Sequence, residues 1–261
     1  MSELLVERSD AAPGVVRVTL NRPEKMNSIT GPMWGALAEA FREIGANRAD
    51  RVLVVTGAGG NFCAGADLLK AELPRTTGGR TEYMRGVARA AQALHDLPQP
   101  SIAMVDGAAA GAGCNLALGC DLVYASDRAR FSEIFVKRAL SLDFGGSWVL
   151  PRRVGLHRAK ELALLAEVID ATEAERIGLV NRVVPASELE ATVQAVAERI
   201  LGMAPVALAQ TKQLLDDSAG RSMTEALAAE GAAQVINFAT DDSIEAVRAF
   251  RDKREPNFTG E

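Results

Sequence analysis

The sequence predicts an α/β fold, with a helical region after it. Three observations predict this: short apolar runs typical of strands, helical patterns between those runs, and a loss of strand signals beyond Pro151. We expect a core over residues 1–190 and a helical region over residues 191–261, with a soft boundary between them. A chain of 261 residues is long enough to bury a large core.

Strands open the chain, and a helix separates the second strand from the third. Residues 4–8, 15–20 and 51–56 are apolar runs with strand character. The helix is predicted after Pro32, because proline suits a first helical turn. Four apolar residues then recur at helical spacing on one face: Met33, Leu37, Phe41 and Ile44.

The alternation continues through the middle of the chain. Residues 80–96 have a helical pattern, residues 101–105 a strand pattern, residues 112–119 the pattern of a short helix, and residues 122–125 that of another strand. Strands that alternate with helices are typical of the α/β class.

Helical patterns dominate after Pro151. Thr172 and Glu175 have the T-x-x-E spacing of a capping box, which predicts a helix start at Thr172. Four further helices are predicted, over residues 187–201, 205–218, 224–238 and 243–253.

Composition narrows the functional classes. Hydrophobic residues make up 48% of the chain and charged residues 24%, the ordinary balance of a globular protein. No apolar run is long enough to span a membrane, and the first ten residues lack a signal-peptide layout, so we expect a cytoplasmic protein with no membrane partner. The net charge of −5 gives no footprint for nucleic acid.

Cysteine and histidine are scarce. Three cysteines without a secretory context do not predict a disulfide framework, and neither of the two histidines has a partner at metal-ligand spacing. Two glycine-rich stretches, at residues 57–62 and 111–116, miss the G-x-G-x-x-G pattern at its last position. Residues 145–149 miss the nucleophile-elbow pattern in the same way, so no metal, dinucleotide or serine-hydrolase site is expected.

Two segments of small residues could bring backbone N–H groups close to a ligand. Residues 61–68 (NFCAGADL) follow a strand, and their small side chains permit close backbone approach. Residues 106–115 (DGAAAGAGCN) lead a strand into a short helix, whose first N–H groups have no intrahelical partner. Taken alone, each segment fits a tight turn or close helix packing better than a catalytic element.

Six motifs stand in one order over nearly the whole chain. They are LNRPEKMN at 20–27, FCAGADL at 62–68, the run at 103–115, CDL at 120–122, FSE at 131–133 and GGS at 145–147. Together they resemble the enoyl-CoA hydratase/isomerase family, also called the crotonase family.

The resemblance implies a fold and a ligand. The expected fold is a crotonase-like spiral of ββα repeats, followed by a C-terminal helical region that builds a homotrimer or a hexamer made of two trimers. The expected substrate is an acyl-CoA or enoyl-CoA, so coenzyme A enters as part of the substrate thioester and no cofactor stays bound. The family's two oxyanion donors correspond to the N–H groups of Ala66 and Ala112, the latter standing where many members have glycine.

The family's hydratases use two glutamates, which would fall at Asn115 and Phe135. Asparagine can orient a water or a carbonyl but does not titrate near neutral pH, and phenylalanine offers only apolar surface. Asp143 stands where some isomerases of the family carry a catalytic aspartate, and partial burial beside Leu142 would raise its pKa. Alternatively, Asp143 caps a helix that begins near Gly145.

Two other titratable residues are assigned structural roles. Glu133 is a rival acid, but the family motif does not make it catalytic. His95 is expected to end a helix and not to act as a base.

The resemblance also implies a set of substrate contacts. Arg22 and Lys25 would meet phosphate oxygens of coenzyme A, although a solvated surface charge explains Lys25 equally well. Phe250 and Lys253 would reach a neighbouring subunit's coenzyme A, whereas the helical pattern alone predicts packing. The remaining expected contacts with the substrate are Met26, Ala64, Asp67, Leu68, Gly111, Phe135, Leu142 and Gly146.

Three functions remain open from the sequence. The favoured one is double-bond isomerisation of an enoyl-CoA, with Asp143 as a proton shuttle, since a single acid suffices for it. The second is an enoyl-CoA hydratase with atypical water activation, and the third is a catalytically degraded acyl-CoA binding protein. Acyl-chain preference would depend on distant loops such as residues 72–83.

Overall fold

The computed structural model of the protein describes residues 2–68 and 76–261. Its strands are β1 (Leu4–Arg8), β2 (Val15–Leu20), β3 (Val52–Gly57), β4 (Ser101–Val105), β5 (Ala108–Ala110), β6 (Leu122–Ser126), β7 (Arg130–Ser132), β8 (Ile169–Asp170) and β9 (Arg182–Val184). Its helices are α1 (Gly31–Ala46), α2 (Thr77–His95), α3 (Ala112–Leu118), α4 (Gly146–Val154), α5 (Leu156–Leu165), α6 (Ala171–Arg176), α7 (Leu189–Leu201), α8 (Pro205–Asp217), α9 (Met223–Phe238) and α10 (Asp241–Asp252). The predicted α/β class is confirmed.

A six-stranded sheet in the order β1-β2-β3-β4-β6-β9 forms the centre. All its pairs are parallel except that between β1 and β2. The inner strands β3 and β4 are nearly continuous runs of buried residues, as expected for parallel strands covered on both faces. A second sheet pairs β5 with β7 and β7 with β8; the sequence did not predict it, because two- and three-residue strands leave no periodic pattern.

Alternate residues of β3 serve two different cores. Leu53 and Val55 belong to the main core, with Trp34, Leu37 and Phe41 of α1. Val52 and Val54 belong to a second core with Leu189, Val193 and Ala197 of α7. The sheet is therefore covered on both faces, and helix α7 belongs to its packing although the predicted boundary lies at residue 190. That boundary stays a prediction.

The start of α6 differs from the prediction. The helix begins at Ala171, and the side chain of Asp170 accepts a hydrogen bond from the N–H of Glu173 at 2.9 Å. The capping box predicted at Thr172 and Glu175 is therefore wrong. Glu175 instead accepts a hydrogen bond from the N–H of Val183.

The C-terminal helices leave large apolar side chains in solvent. Helix α8 has no buried residue, and α9 buries only Ala233. Large apolar side chains exposed in this region include those of Leu215, Met223, Leu227, Val235, Phe238, Val247 and Phe250. Within residues 2–68 and 76–261, no helix combines the length and apolar character that a membrane crossing requires.

Removal of the Phe41 side chain should test the main core. Phe41 is fully buried on α1, whereas Glu39 of the same helix is exposed. We expect Phe41→Ala to lower the free energy of unfolding by about 3–5 kcal/mol, because burial is lost and a cavity remains. Glu39→Ala should change it by less than about 0.5 kcal/mol. Urea denaturation followed by circular dichroism measures both, and equal effects would contradict the assignment of Phe41 to the core.

Candidate active site

An open pocket of about 410 Å³ lies where the two small-residue segments meet. More apolar than polar surface lines it. Ten of the residues expected at the site line the pocket: Lys25, Met26, Ala64, Ala66, Asp67, Leu68, Gly111, Ala112, Phe135 and Asp143. Six lining residues were not expected from the sequence: Glu24, Ser28, Gly65, Ile134, Arg138 and Leu140.

The first segment is held against the chain that follows β2. The N–H of Ala64 donates to the carbonyl of Met26, and Ile29 exchanges hydrogen bonds with Gly65 and Asp67 on either side of Ala66. The N–H of Ala66 itself donates no backbone hydrogen bond within the described residues. Because Ala66 lines the pocket, its N–H remains available to a ligand.

The second segment turns from β5 into α3 at Gly111. Gly111 has φ +54°, a conformation that favours glycine, and its N–H donates to the carbonyl of Ser132. Ala112 is the first residue of α3, where an N–H has no intrahelical acceptor. In the part of the chain that the structure describes, this N–H has no backbone partner either.

The two segments approach each other too closely for an intervening side chain. A Cβ at Gly65 would lie 2.8 Å from the carbonyl oxygen of Ala110 and 3.6 Å from the nitrogen of Ala112. A Cβ at Gly113 would lie 2.3 Å from the carbonyl oxygen of Cys63. The backbones of the two segments are therefore in close contact, and Ala66 and Ala112 both line the pocket beside them.

Asp143 is the half-buried acid of the pocket. Burial raises the pKa of Asp143 to about 6, and its Oδ1 atom has no hydrogen-bond partner. The alternative in which Asp143 caps a helix is wrong: the N-cap of α4 is Gly145, with φ +77° and no side-chain cap. Only the backbone carbonyl of Asp143 takes part, accepting from the N–H of Gly146. The carboxyl group is thus left to the pocket.

Asn115 lies behind the pocket wall. It is fully buried, does not line the pocket, and donates from Nδ2 to the backbone carbonyl of Asp143 at 3.0 Å. Gly146 also lies outside the lining, and a Cβ there would meet Asn115 Nδ2 at 2.2 Å. The geometry makes Asn115 a support for the Asp143 backbone. Leu142 does not line the pocket.

Arg22 does not reach the pocket, contrary to the expectation that it meets coenzyme A phosphates. Its guanidinium is buried, donates to the carboxylate of Asp67 at 2.8 Å and also pairs with Glu3. Its Nη1 atom donates to the backbone carbonyl of Ser28. Burial of this charge is tolerated because opposite charges and a carbonyl surround it. Arg22 therefore joins the segment at Ser28 to the segment at Asp67.

Cations at the pocket come instead from Lys25 and Arg138. Both side chains are exposed and line the pocket, and neither forms an ion pair among the described residues. Arg138 belongs to a short 3₁₀ turn, Ile134–Arg138, whose Phe135 closes the apolar side of the pocket. Arg138 was not predicted as a site residue, because no glycine or acidic residue of a recognisable motif stands at its place in the sequence.

Phe250 and Lys253 lie on α10 and at its end, away from this chain's own pocket. The Phe250 side chain is 89% exposed. Their expected contact with a neighbouring subunit stays a prediction.

Of the loop at residues 72–83, residues 72–75 lie outside the described residues, and Thr77–Tyr83 forms the first turns of α2.

Glu133 is buried beside the pocket without lining it. Burial raises the pKa of Glu133 to about 7, as does the neighbouring charge of Asp143, while contacts with Cys114 and Asn115 act in the opposite direction. His95 ends α2 and packs its ring against Trp148, outside the pocket. Among the residues described, no group of three or more His, Cys, Asp or Glu side chains is placed to hold a metal ion.

Comparison with known proteins agrees with this geometry. The family model described as enoyl-CoA hydratase/isomerase matches residues 10–261. The 1,2-epoxyphenylacetyl-CoA isomerase of Escherichia coli (strain K12) is 37% identical over 256 residues, covering 97% of both chains. A probable enoyl-CoA hydratase of Rhodobacter capsulatus is 38% identical over 256 residues, again covering 97% of both chains.

A solved structure shows the same fold. The enoyl-CoA hydratase of Bacillus anthracis matches with a TM-score of 0.94 and 32% sequence identity, covering 100% of both chains. The family match spans nearly the whole chain, the relatives exceed 30% identity over almost their full length, and the crotonase-like fold is confirmed. The chain is therefore an enzyme of the enoyl-CoA hydratase/isomerase family.

Proposed function

We propose that this enzyme moves the double bond of an enoyl-CoA, with Asp143 as the proton shuttle. One observation carries the proposal: Asp143 is the half-buried acid of the pocket, and its Oδ1 atom has no hydrogen-bond partner within residues 2–68 and 76–261. The other two acids of the lining are unsuited to the task. Asp67 is paired with Arg22, and Glu24 is exposed at the mouth.

The proposed reaction begins with a 3-enoyl-CoA whose thioester oxygen accepts hydrogen bonds from the N–H groups of Ala66 and Ala112. The Asp143 carboxylate takes a proton from C2, and the electron pair of the broken C–H bond spreads over the double bond and the thioester. The dienolate oxygen is then held by the two N–H groups. The neutral Asp143 returns the proton to C4, which leaves a 2-enoyl-CoA and the original carboxylate.

The raised pKa of Asp143 suits this cycle. A carboxyl group with a pKa of about 6 is mostly ionised at neutral pH, yet it is a stronger base than an ordinary aspartate. Ile134, Phe135 and Leu140 surround the pocket with apolar surface, which limits access of water to the intermediate. The similarity to the Escherichia coli isomerase also supports an isomerisation.

Hydration is the second candidate, because several relatives are named as hydratases. It needs a group that activates water. Asn115 lies outside the pocket lining, and Phe135 occupies the other expected position, so neither residue supplies that group.

At the nucleotide end, we propose that Lys25 and Arg138 contact phosphate oxygens of coenzyme A. Both cations are exposed at the pocket and unpaired in the described part of the chain. The backbone and side chains of Met26, Ala64 and Leu68 would border the pantetheine arm. No bound cofactor is required for the proposed steps.

Asp143→Asn should abolish most isomerisation. The amide keeps the shape of the side chain but cannot accept the C2 proton, so kcat for a 3-enoyl-CoA should fall by about 10²–10⁴-fold with little change in KM. Absorbance of the 2-enoyl thioester product measures the rate. Asp216→Asn is the matched control, since Asp216 is another half-buried acid with a raised pKa but lies on α8, outside the pocket.

Three results would contradict the proposed isomerisation or the role of Asp143 in it. Unchanged turnover by Asp143→Asn would remove Asp143 from the reaction. Conversion of a 2-enoyl-CoA to its hydrated product, without any conversion of the 3-enoyl-CoA, would favour the hydratase. Binding of both thioesters without product from either would leave the acyl-CoA binding protein.

Ala112→Pro should remove one oxyanion donor. Proline has no N–H and is tolerated at the first position of a helix, which Ala112 occupies. We expect kcat/KM to fall by about 10²–10³-fold, while Ala112→Gly keeps the donor and most of the activity. Circular dichroism and thermal melting check that the proline variant folds. A folded proline variant with wild-type activity would contradict the role of this N–H.

We further propose that the C-terminal helices assemble the chain into a trimer or a pair of trimers. On α10, Ile244, Val247 and Phe250 recur at a spacing of three residues and are all exposed. Burial of such a face in a neighbouring copy would stabilise the assembly. It would also bring Phe250 and Lys253 to a neighbour's coenzyme A.

Sedimentation equilibrium should give a mass three or six times that of the 27.6 kDa chain. Phe250→Asp should lower the mass toward that of one chain, because a charge cannot be buried at an apolar contact without a large cost. Glu39→Lys, a charge change on the exposed face of α1, should leave the mass unchanged. A wild-type monomer would contradict the proposal.

A further inference from the structure

Buried polar atoms without hydrogen bonds gather behind the pocket wall. Five of the seven such atoms in the described residues belong to four neighbours in this region: Asn115, Ser132, Glu133 and Asp143. Buried polar atoms are normally paired, because an unpaired one loses its hydration without compensation. The concentration of unpaired polar atoms in one place therefore indicates a functional region and not a packing defect.

Glu133 is the more enclosed of the two acids in the cluster. It follows β7, its side chain is 3% exposed, and neither carboxylate oxygen has a hydrogen bond of good geometry. The thiol of Cys114 and the amide of Asn115, both on α3, lie beside the carboxyl group. From the loop before α4, Asp143 is the charged group that faces it. Burial keeps the pKa of the Cys114 thiol well above its usual value, so the thiol stays neutral.

Asn115 connects the two acids. Its Nδ2 atom donates to the Asp143 backbone, while its Oδ1 atom lacks a donor. An ionised carboxylate can only accept hydrogen bonds, whereas a protonated carboxyl group has a hydroxyl to donate. The protonated form of Glu133 therefore suits this environment, since it can offer a proton to a neighbouring oxygen and places no second charge near Asp143.

We propose that Glu133 is a positioning residue that acts through Asn115 and Asp143, and that it must keep its own proton while Asp143 works as the base. The proposal rests on the proposed isomerisation. Protonated Glu133 leaves Asp143 as the single anion at this side of the pocket. Loss of that proton would add a negative charge close to where the dienolate forms, and it would slow the reaction.

The order of ionisation follows from the positions of the two groups. Asp143 lines the open pocket and has a pKa of about 6, whereas the more enclosed Glu133 has a pKa of about 7, raised by burial and by the charge of Asp143. Tyr83, on α2, also faces Asp143, but its own pKa is raised and it stays neutral through this range. The active form, with Asp143 ionised and Glu133 protonated, is therefore most populated between the two values.

The pH dependence of kcat/KM for a 3-enoyl-CoA tests the proposal. We expect a bell-shaped profile for the wild type, rising as Asp143 ionises and falling as Glu133 does. Glu133→Gln should keep the acid limb and lose the alkaline fall, so that about one pH unit above the upper pKa it exceeds the wild type by roughly tenfold. Asp216→Asn, remote from the pocket, should keep the bell.

Thermal melting provides a readout that does not depend on turnover. A carboxyl group whose pKa is raised on folding binds more protons in the native state, so its contribution lowers stability as pH rises from its unfolded to its folded pKa. For Glu133 that window runs from about 4.3 to about 7. Relative to wild type, the Tm of Glu133→Gln should therefore be higher at pH of about 8 than at pH of about 4.

The two measurements separate the possible failures. A wild type that converts no 3-enoyl-CoA removes the proposed function, and the Tm comparison still reports whether Glu133 holds its proton. If Glu133 does not hold its proton, glutamine will change the Tm equally at both pH values. If Glu133 holds its proton but has a purely structural role, Glu133→Gln will keep the alkaline fall of the wild type. Either result overturns the proposal.

Discussion

The close approach of two backbone segments is the constraint on which this site depends. Residues 63–67 follow β3, residues 110–113 run from the end of β5 into α3, and the two backbones meet where only glycine fits, at Gly65 and Gly113. The carbonyls of Cys63 and Gly65 accept hydrogen bonds from the N–H groups of Ala110 and Ile29, whereas the N–H groups of Ala66 and Ala112 have no backbone partner within the described residues. The parallel sheet fixes the two loops at one edge, since β3 and β4 are adjacent and run in the same direction. The backbone path of the two segments, and not a particular side chain, therefore sets the positions of these two N–H groups.

The raised pKa of Asp143 depends on burial and not on charged partners. Asp143 is held by its backbone, through the amide of Asn115, while its Oδ1 atom has no hydrogen-bond partner among the described residues. Its raised pKa follows from desolvation, the opposite of the effect that an arginine neighbour would have. Asp67 illustrates the contrast within the same pocket, because the buried Arg22 holds it in an ion pair. Asp143 and Asp67 line the same pocket, yet their carboxyl groups differ in chemistry because their surroundings differ.

Local patterns allowed much of the fold to be predicted from the sequence, and the family motifs identified most of the pocket. Periodicity found α1 and the buried strands, and small residues marked both donor segments. Long-range contacts could not be predicted in this way. Arg22 was expected to meet coenzyme A phosphates, because nothing near it in sequence shows that Asp67 folds against it. Thr172 was chosen as a helix cap in place of Asp170, since both residue types cap helices and only the backbone path decides between them. Glu133 and Arg138 gained their significance only from their neighbours in space.

Gly146 has a consequence for how this sequence can diverge. A side chain at this position would overlap the amide of Asn115, whose hydrogen bond fixes the Asp143 backbone. A side chain longer than that of Asn115 would in turn need the space that is open because Gly146 has no Cβ. The two positions are therefore not independent in evolution. Substitution of one should be accepted only with a compensating change at the other, and a pairwise correlation between them should appear when enough homologous sequences are aligned.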